Sequence, residues 1–115
     1  MATAIINLED YRSIDKQTNY KSKVFTGRDR GKDVREDSKI DEIESLNEKV
    51  VVSIPEDIYS INPSFFEEFF KNVVKKLGNE SFMNKFELKS NGDYDFKEEL
   101  MEAIDRILND ATAIG

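Results

Sequence analysis

Residues Lys49 to Gly78, KVVVSIPEDIYSINPSFFEEFFKNVVKKLG, join the pattern of a buried strand to that of an amphipathic helix. Lys49 to Ile54 contains four β-branched apolar residues, and so continuous an apolar run predicts a strand that is buried on both faces. Pro55 cannot donate a ladder hydrogen bond, which predicts that the strand ends before it. The rest of the chain supplies partners for this unit.

The second half of the stretch predicts an amphipathic helix. Asn62 is a favourable N-cap residue, and Pro63 suits the first helical position, where its missing N–H costs nothing. Large apolar residues then recur at helical spacing and give one broad apolar face. They are Phe65, Phe66, Phe69, Phe70, Val73, Val74 and Leu77. Gly78 is expected in the left-handed conformation that ends helices, and Ser64 falls in the first turn, where an anion is favoured.

Two blocks of the chain resemble the STAS-like family, a bacterial domain family of unknown function that is distantly similar to the STAS domains of anti-anti-sigma factors. In SINPSFFEEFF, the serine-rich loop and the Ser-Phe pair with a following Glu match the family pattern through Ser60, Ile61, Ser64, Phe65, Glu68 and Phe69. In FTGRDRGKDVRE, the family's Arg-x-x-Gly-x-x-x-Arg signature is matched by Arg28, Gly31 and Arg35. The two blocks occur in the order and at the spacing that the family shows. The resemblance spans residues 24 to 108.

Three positions depart from the family pattern. Ser53 stands where the family often has an Asp, Pro63 replaces a small residue, and the turn at Glu56-Asp57 is one residue longer. The resemblance implies a small mixed sheet with helices packed on it. It also implies a protein partner, either an ATPase-fold kinase or a signalling protein. In anti-anti-sigma STAS domains a serine at the start of this helix is phosphorylated, and Ser64 matches that place.

Composition narrows the class of protein. The 115 residues fit one domain, residues 1–115, whose first 20 residues are expected to form a strand and a partly mobile arm. With no Cys and no His, thiol chemistry, the usual general base and the commonest metal ligand are all missing. We therefore expect no enzyme, no metal and no cofactor. No run is long enough for a membrane helix and residues 1–11 lack a signal-peptide pattern, so a cytoplasmic protein is expected.

Charge is unevenly distributed along the chain. The net charge is −7, yet residues 11–35 hold eight Lys and Arg against three Asp. This basic segment and its aromatics make a nucleic-acid-associated protein the alternative function. We do not favour it, because a pI of about 4.7 is far from the basic character of such domains.

The order of elements predicts a small α/β layer of about four mixed strands with about three helices. Alternation of strands with helices favours parallel neighbours joined by right-handed crossovers. Strands are predicted at 4–8, 20–25, 49–54 and 82–88, and helices at 28–46, 62–77 and from Asp95 onward. Residues 79–81 are predicted as a loop.

The resemblance and the helix pattern together place the candidate site in one region. We expect a protein partner to bind the loop and helix start at Ser60, Asn62, Ser64 and Phe65, with Arg28, Gly31 and Arg35 nearby. Ser64 is the candidate phosphoacceptor, but a serine early in a helix is also an ordinary capping residue. Arg28 and Arg35, two turns apart, are suited either to a phosphate or partner carboxylate or to ion pairs within the chain. The acids expected for such pairs are Asp29, Asp33, Glu36 and Asp57.

Two further features have simpler interpretations. Asp93, Asp95 and Glu98 resemble an oxygen-rich cation site, but they lack the ligands of a calcium loop, so a turn with a helix cap at Asp95 is preferred. The Phe-rich helix face is most often core, although one exposed edge would serve an interface or a homo-oligomer. A homodimer stays open as a third alternative.

Overall fold

The structure is a computed structural model that describes residues 2–114 and the side chains of residues 2–109. Strands and helices alternate along the chain, which confirms the predicted small α/β layer. In order, the elements are β1 (Thr3–Asn7), a 3-10 helix (Leu8–Tyr11), β2 (Val24–Phe25), α1 (Arg28–Ser38), α2 (Ile40–Leu46), β3 (Lys49–Ile54), β4 (Ser60–Ile61), α3 (Pro63–Phe69), α4 (Lys71–Lys85), β5 (Phe86–Ser90) and α5 (Lys97–Ile114). The described residues therefore contain more and shorter elements than the seven predicted.

Strand β3 is the centre of a three-stranded sheet in the order β1-β3-β5. Both pairings are parallel, with Val51 opposite Ile5 on one side and Glu87 on the other. The chain adds strands in one direction across the sheet, from β1 to β3 to β5. Right-handed crossovers therefore place the connecting helices on the same face. Val50 and Val52 are fully buried on that face, whereas Val51 is only half-buried. The prediction that β3 is buried on both faces was wrong for this reason.

The two short strands β2 and β4 form a separate parallel ribbon, with Val24 opposite Ser60 and Phe25 opposite Ile61. All named strands are thus parallel, and the predicted mixed sheet is corrected.

The predicted strand at 20–25 is reduced to two residues because residues 13–22 form a hairpin instead. Within it, Ser22 N–H donates to the Ser13 carbonyl (2.8 Å) and Asp15 N–H donates to the Tyr20 carbonyl (2.9 Å).

Two predicted helices are divided and one predicted strand is shortened. Lys39, with φ of 57°, separates α1 from α2, and Phe70 separates α3 from α4. Gly78 has the expected positive φ, 78°, but the chain resumes a helix immediately instead of forming a loop at 79–81. Phe82 therefore lies in a helix, not in the predicted strand 82–88. This geometry buries its ring against Phe86, 4.8 Å away between centroids.

The phenylalanines of α3 form the centre of the core. Phe65, Phe66 and Phe69, together with Phe70 at the junction with α4, are fully buried. Their rings contact one another, with centroids 5.7 Å apart for Phe66 and Phe70. The alternative in which exposed Phe residues of this helix drive homo-oligomerisation is therefore wrong.

A buried carboxylate joins α2 to α4. Glu44 Oε1 lies 2.8 Å from Lys76 Nζ and Glu44 Oε2 lies 2.6 Å from Lys85 Nζ. Lys85 also donates to the Glu44 backbone carbonyl at 2.6 Å. Burial acts to raise the pKa of Glu44, but the hydrogen bonds from Lys76 and Lys85 outweigh it and lower that pKa.

Candidate functional site

The β2–β4 ribbon places the beginnings of α1 and α3 side by side. Tyr59 N–H donates to the Lys23 carbonyl (3.0 Å), and Asn62 N–H donates to the Phe25 carbonyl (2.9 Å). Each two-residue strand leads into its helix within two residues, so the parallel pairing brings the two helix starts together. Tyr94 O–H donates to the Ile61 carbonyl (3.2 Å). Burial is the main cause that raises the pKa of Tyr94 to about 12.

Helices α1 and α3 cross in direct contact at Gly31. A Cβ atom at this position would lie 2.5 Å from the Phe65 carbonyl oxygen and 2.9 Å from Glu68 Cβ, both too close. Phe65 is itself fully buried, with its ring 5.0 Å from that of Phe25 between centroids. Gly31 and Phe65, two of the residues predicted to bind a partner, thus face the interior and serve the crossing.

The two arginines of the signature lie on either side of this crossing. Arg28 Nη1 donates to Glu67 Oε2 at 2.6 Å and lies 3.6 Å from Glu68 Oε2. Arg35 Nη1 donates to the Glu68 backbone carbonyl at 2.6 Å and lies 3.5 Å from Glu68 Oε1. Both arginines form ion pairs within the chain, as one of the two alternatives expected. These ion pairs are made with glutamates of α3, which were not among the four acids expected from the sequence.

Glu67 is a buried carboxylate at the junction of three helices. In addition to Arg28 from α1, it receives Arg106 from α5, with 3.7 Å between Arg106 Nη1 and Glu67 Oε1. Arg106 also pairs with Glu102, one helical turn away on α5, at 3.4 Å. The burial of Glu67 could not be predicted from the sequence, because nothing in the local pattern shows that α1 and α5 both pack there.

Ser64 lies at the surface of the region where the starts of α1 and α3 meet, which we call the joint. Its N–H and its Oγ both donate to Asn62 Oδ1, at 2.9 and 2.8 Å, which confirms Asn62 as the cap of α3. Ser64 is half-buried and Asn62 is exposed. Since residues three and four apart share one face of a helix, Ser64 is on the face that carries Glu67 and Glu68. Its hydroxyl therefore stands one turn from the two acids that Arg28 contacts.

A second polar feature occupies the carboxyl ends of the sheet strands, the edge at which open parallel sheets bind ligands. A cleft of about 610 Å³ lies between the ends of β1 and β3, and Arg12 lines it. The Arg12 side chain is only 4% exposed. It makes a bidentate pair with Asp57 (2.8 and 2.9 Å), donates to Glu9 (3.1 Å), and makes two hydrogen bonds to the Ser22 carbonyl (3.0 and 2.7 Å).

These contacts make Arg12 a structural link and not an anion receptor. All three of its nitrogens already donate to protein oxygens, so a ligand would have to displace one of them. Its hydrogen bonds lower the pKa of Asp57, and the hydrogen bond from Lys21 is the main cause that lowers the pKa of Glu9. The cluster joins the 13–22 hairpin to the turn after β3.

The Arg12 link gives a testable prediction. Arg12→Ala is expected to speed hydrogen exchange at the amides of Asp15 and Ser22 by about tenfold or more, because the hairpin loses its attachment. Arg12→Lys should not restore protection, since lysine lacks the planar fork that holds Asp57 and Ser22 together. Lys16→Ala, in the exposed part of the same hairpin, is the control and should leave both amides unchanged. Equal protection in all variants would contradict the assignment.

Most of the cations in the basic segment, residues 11–35, contact other groups within the chain. Of the eight cations in residues 11–35, five make hydrogen bonds or ion pairs to protein oxygens in the described residues. They are Arg12, Lys21, Arg28, Arg30 and Arg35. Four of these five contact acids, and Arg30 donates to the Tyr11 carbonyl. The local surplus of positive charge is thus largely neutralised, which removes the main argument for nucleic-acid binding.

The described residues contain neither a cluster of metal ligands nor a helix that could span a membrane. Asp95 Oδ1 accepts from Lys97 N–H at 3.1 Å, which confirms the cap. Across the part of the chain that the structure describes, no group of three acidic side chains is arranged to hold a metal ion. None of the helices within residues 2–114 combines the length and the apolar character that crossing a bilayer requires.

Comparison of the chain with protein-family models, with characterised proteins and with solved structures finds no match. The candidate site is therefore described only from the contacts and exposure of its own residues. Of the predicted residues, Arg28, Asn62 and Ser64 come together at the surface, and Ser60 is half-buried in β4. Tyr59 was not among the predicted site residues, and its exposed ring directly before β4 is available for an aromatic contact.

Proposed function

We propose that this protein is a non-enzymatic regulatory module of the STAS-like kind, which binds a protein partner at the joined starts of α1 and α3. We further propose that phosphorylation of Ser64 switches this binding. The observation that carries the proposal is the position of the Ser64 hydroxyl. Ser64 is half-buried, its hydroxyl donates to the exposed Asn62, and it lies one helical turn from the Glu67–Arg28 pair that ties α1 to α3.

The electrostatics of a phosphate at Ser64 support a switch. The phosphate would add a charge of about −1.5 to −2 on a helix face that already carries two carboxylates, and like charges at this spacing repel. Arg28 and Arg106 both reach this face, and the Arg28 side chain, which makes the shorter contact with Glu67, is 59% exposed. A bidentate arginine–phosphate pair is stronger than an ordinary hydrogen bond, so the phosphate would compete with Glu67 for Arg28. The contact between α1 and α3 would then change at the exposed end of the joint.

The surface around Ser64 is suited to a protein partner. Tyr59 and Asn62, on either side of β4, are exposed, and Arg28 is largely exposed, so aromatic, amide and guanidinium groups are available on the surface formed by β4 and the helix starts. Tyrosine and arginine are enriched among the residues that dominate protein–protein binding energy. By the resemblance described above, the partner would be a signalling protein or an ATPase-fold kinase that also modifies Ser64.

The proposal is tested by comparing three baits in the native cell extract: the wild-type chain, Ser64→Glu and Ser45→Glu. Ser45 is an exposed serine on α2, away from the joint, and controls for added charge. We expect one protein to be retained by the wild type and by Ser45→Glu, and its recovery to fall about tenfold or more with Ser64→Glu, as expected for a charge placed within a buried contact.

The same material is searched by mass spectrometry for phosphate on Ser64. Equal retention of the partner by all three baits, with no phosphate found on Ser64, would exclude the switch. Recovery of nucleic acid alone, released steeply by salt, would favour the nucleic-acid alternative instead.

A further inference from the structure

Within the part of the chain that the structure describes, β1 is an edge strand without a charged residue or a proline. Its ladder hydrogen bonds run to β3, on one side only. Residues 2–8, ATAIINL, contain no charged side chain, whereas the opposite edge strand, β5, carries Glu87 and Lys89. Natural sheets protect free edges with charged residues, with proline or with a covering element. The contrast between the two edges indicates that β1 is the edge suited to pairing with a strand of another chain.

The sheet face beside this edge has the same character. Ile5 is 69% exposed and lies in register with Val51, which is half-buried on the same face. Thr3 and Asn7 lie on either side of Ile5 along this face of the strand. Parallel sheets normally have both faces covered, and here the helices cover only one of them.

We propose that a second copy of this chain covers the edge, by pairing its β1 antiparallel to β1 across a two-fold axis at Ile5. The five residues of β1 are self-complementary in this register. Thr3 would face Asn7 of the second copy, Ala4 would face Ile6, and Ile5 would face its own equivalent. Polar side chains meet polar ones and apolar meet apolar, which an isologous interface requires.

Charge repulsion opposes a second copy least at this particular edge. The chain carries a net charge of −7, so two copies repel one another over most of their surfaces. The uncharged β1 edge is a place where the local part of that repulsion is reduced. The product is a continuous six-stranded sheet, in which the two Ile5 side chains and the two Val51 side chains form one apolar strip. A contact of five residues per chain is small, so the dimer is expected to form at high protein concentration.

The absence of cysteine makes a clean test available. Directly opposite residues in an antiparallel pair have Cα atoms about 4.5–5.5 Å apart, a separation that a disulfide bridges. Ile5→Cys introduces a single thiol at the proposed axis, and mild oxidation should link two copies covalently. Leu46→Cys is the matched control, because Leu46 is 78% exposed on α2, remote from β1. We expect Ile5→Cys to cross-link about tenfold faster than the control. In the paired dimer the two Ile5→Cys thiols are held close together, whereas the control thiols meet only by random collision.

Sedimentation of the unlinked protein supplies the second readout. The wild type and Leu46→Glu should both show dimer at several hundred micromolar protein, about the range expected for so small an interface. Ile5→Glu should be monomeric under the same conditions, because two glutamates would lie directly opposite each other. Because Ile5 is exposed, this change leaves the core intact. Cross-linking of Ile5→Cys no faster than that of Leu46→Cys, or identical monomeric sedimentation of the wild type and Ile5→Glu, would overturn the proposal.

Discussion

Replacing Gly31 by alanine is expected to lower the free energy of unfolding by about 3 kcal/mol, as overpacked positions do. In an ordinary helix interior, alanine is favoured over glycine by roughly 1 kcal/mol, so the expected sign is the reverse of the intrinsic preference. The reason is the crossing of α1 and α3, where a new methyl group would lie 2.5 Å from the Phe65 carbonyl oxygen. A backbone oxygen cannot swing aside, and the helices would have to separate.

Thermal unfolding followed by circular dichroism measures this effect. For a chain of this size, the expected loss corresponds to a fall in Tm of roughly 10 °C. Lys32→Ala, at the next position on the exposed side of α1, should change Tm little. A Gly31→Ala variant as stable as the wild type would mean that α1 and α3 do not cross at this residue.

This geometry gives the Arg28, Gly31 and Arg35 signature a physical meaning. Glycine permits the close approach of two helices, and an arginine on either side ties α1 to a glutamate of α3. The signature is thus a helix-crossing device, of which Arg28 alone keeps enough exposure for a regulatory role. The proposed switch at Ser64 depends on that one accessible contact.

Local patterns were sufficient to predict the class of fold and the central elements. The apolar run of β3, the Asn62-Pro63 start of α3 and the cap at Asp95 depend on residues close together in sequence, and all were confirmed. The break at Gly78 was also expected, because glycine is the residue that adopts a positive φ without strain. The left-handed Lys39 was missed, since lysine carries no such signal.

Contacts between distant residues could not be predicted in the same way. Arg28 and Glu67 are 39 residues apart, and Arg12 and Asp57 are 45 apart, so no helical or strand period relates them. The sequence therefore showed residues 11–35 as a basic segment, whereas folding brings acids from elsewhere to it. The half-buried face of β3 was missed for a similar reason, because its burial depends on which side the crossovers take.

Replacing Glu44 by glutamine is expected to lower the free energy of unfolding at pH 7 by about 2–3 kcal/mol, which is at or below the low end of the range for breaking a fully buried ion pair because the Lys76 side chain is 56% exposed. Glutamine preserves the shape of the side chain but leaves Lys85 and Lys76 without the carboxylate that both contact. Chemical denaturation at pH 7 measures the loss. Lys75→Gln, an exposed substitution on α4, is the control and should have little effect.

The pH dependence of this loss distinguishes a charge effect from a packing effect. The pKa of Glu44 is lower in the folded protein than its ordinary value of 4.5, so its charged form stabilises the fold fully above that pH. This contribution is lost as the pH falls from 4.5 through the lower folded-state pKa. The difference in stability between the wild type and Glu44→Gln should thus be constant from about pH 6 to 8 and shrink below about pH 4.5. Glu9 and Asp57 also have lowered pKa values, but they are present in both proteins and cancel in the difference. A difference that persists unchanged at pH 3 would show that glutamine disturbs packing, and that the Glu44 charge contributes nothing.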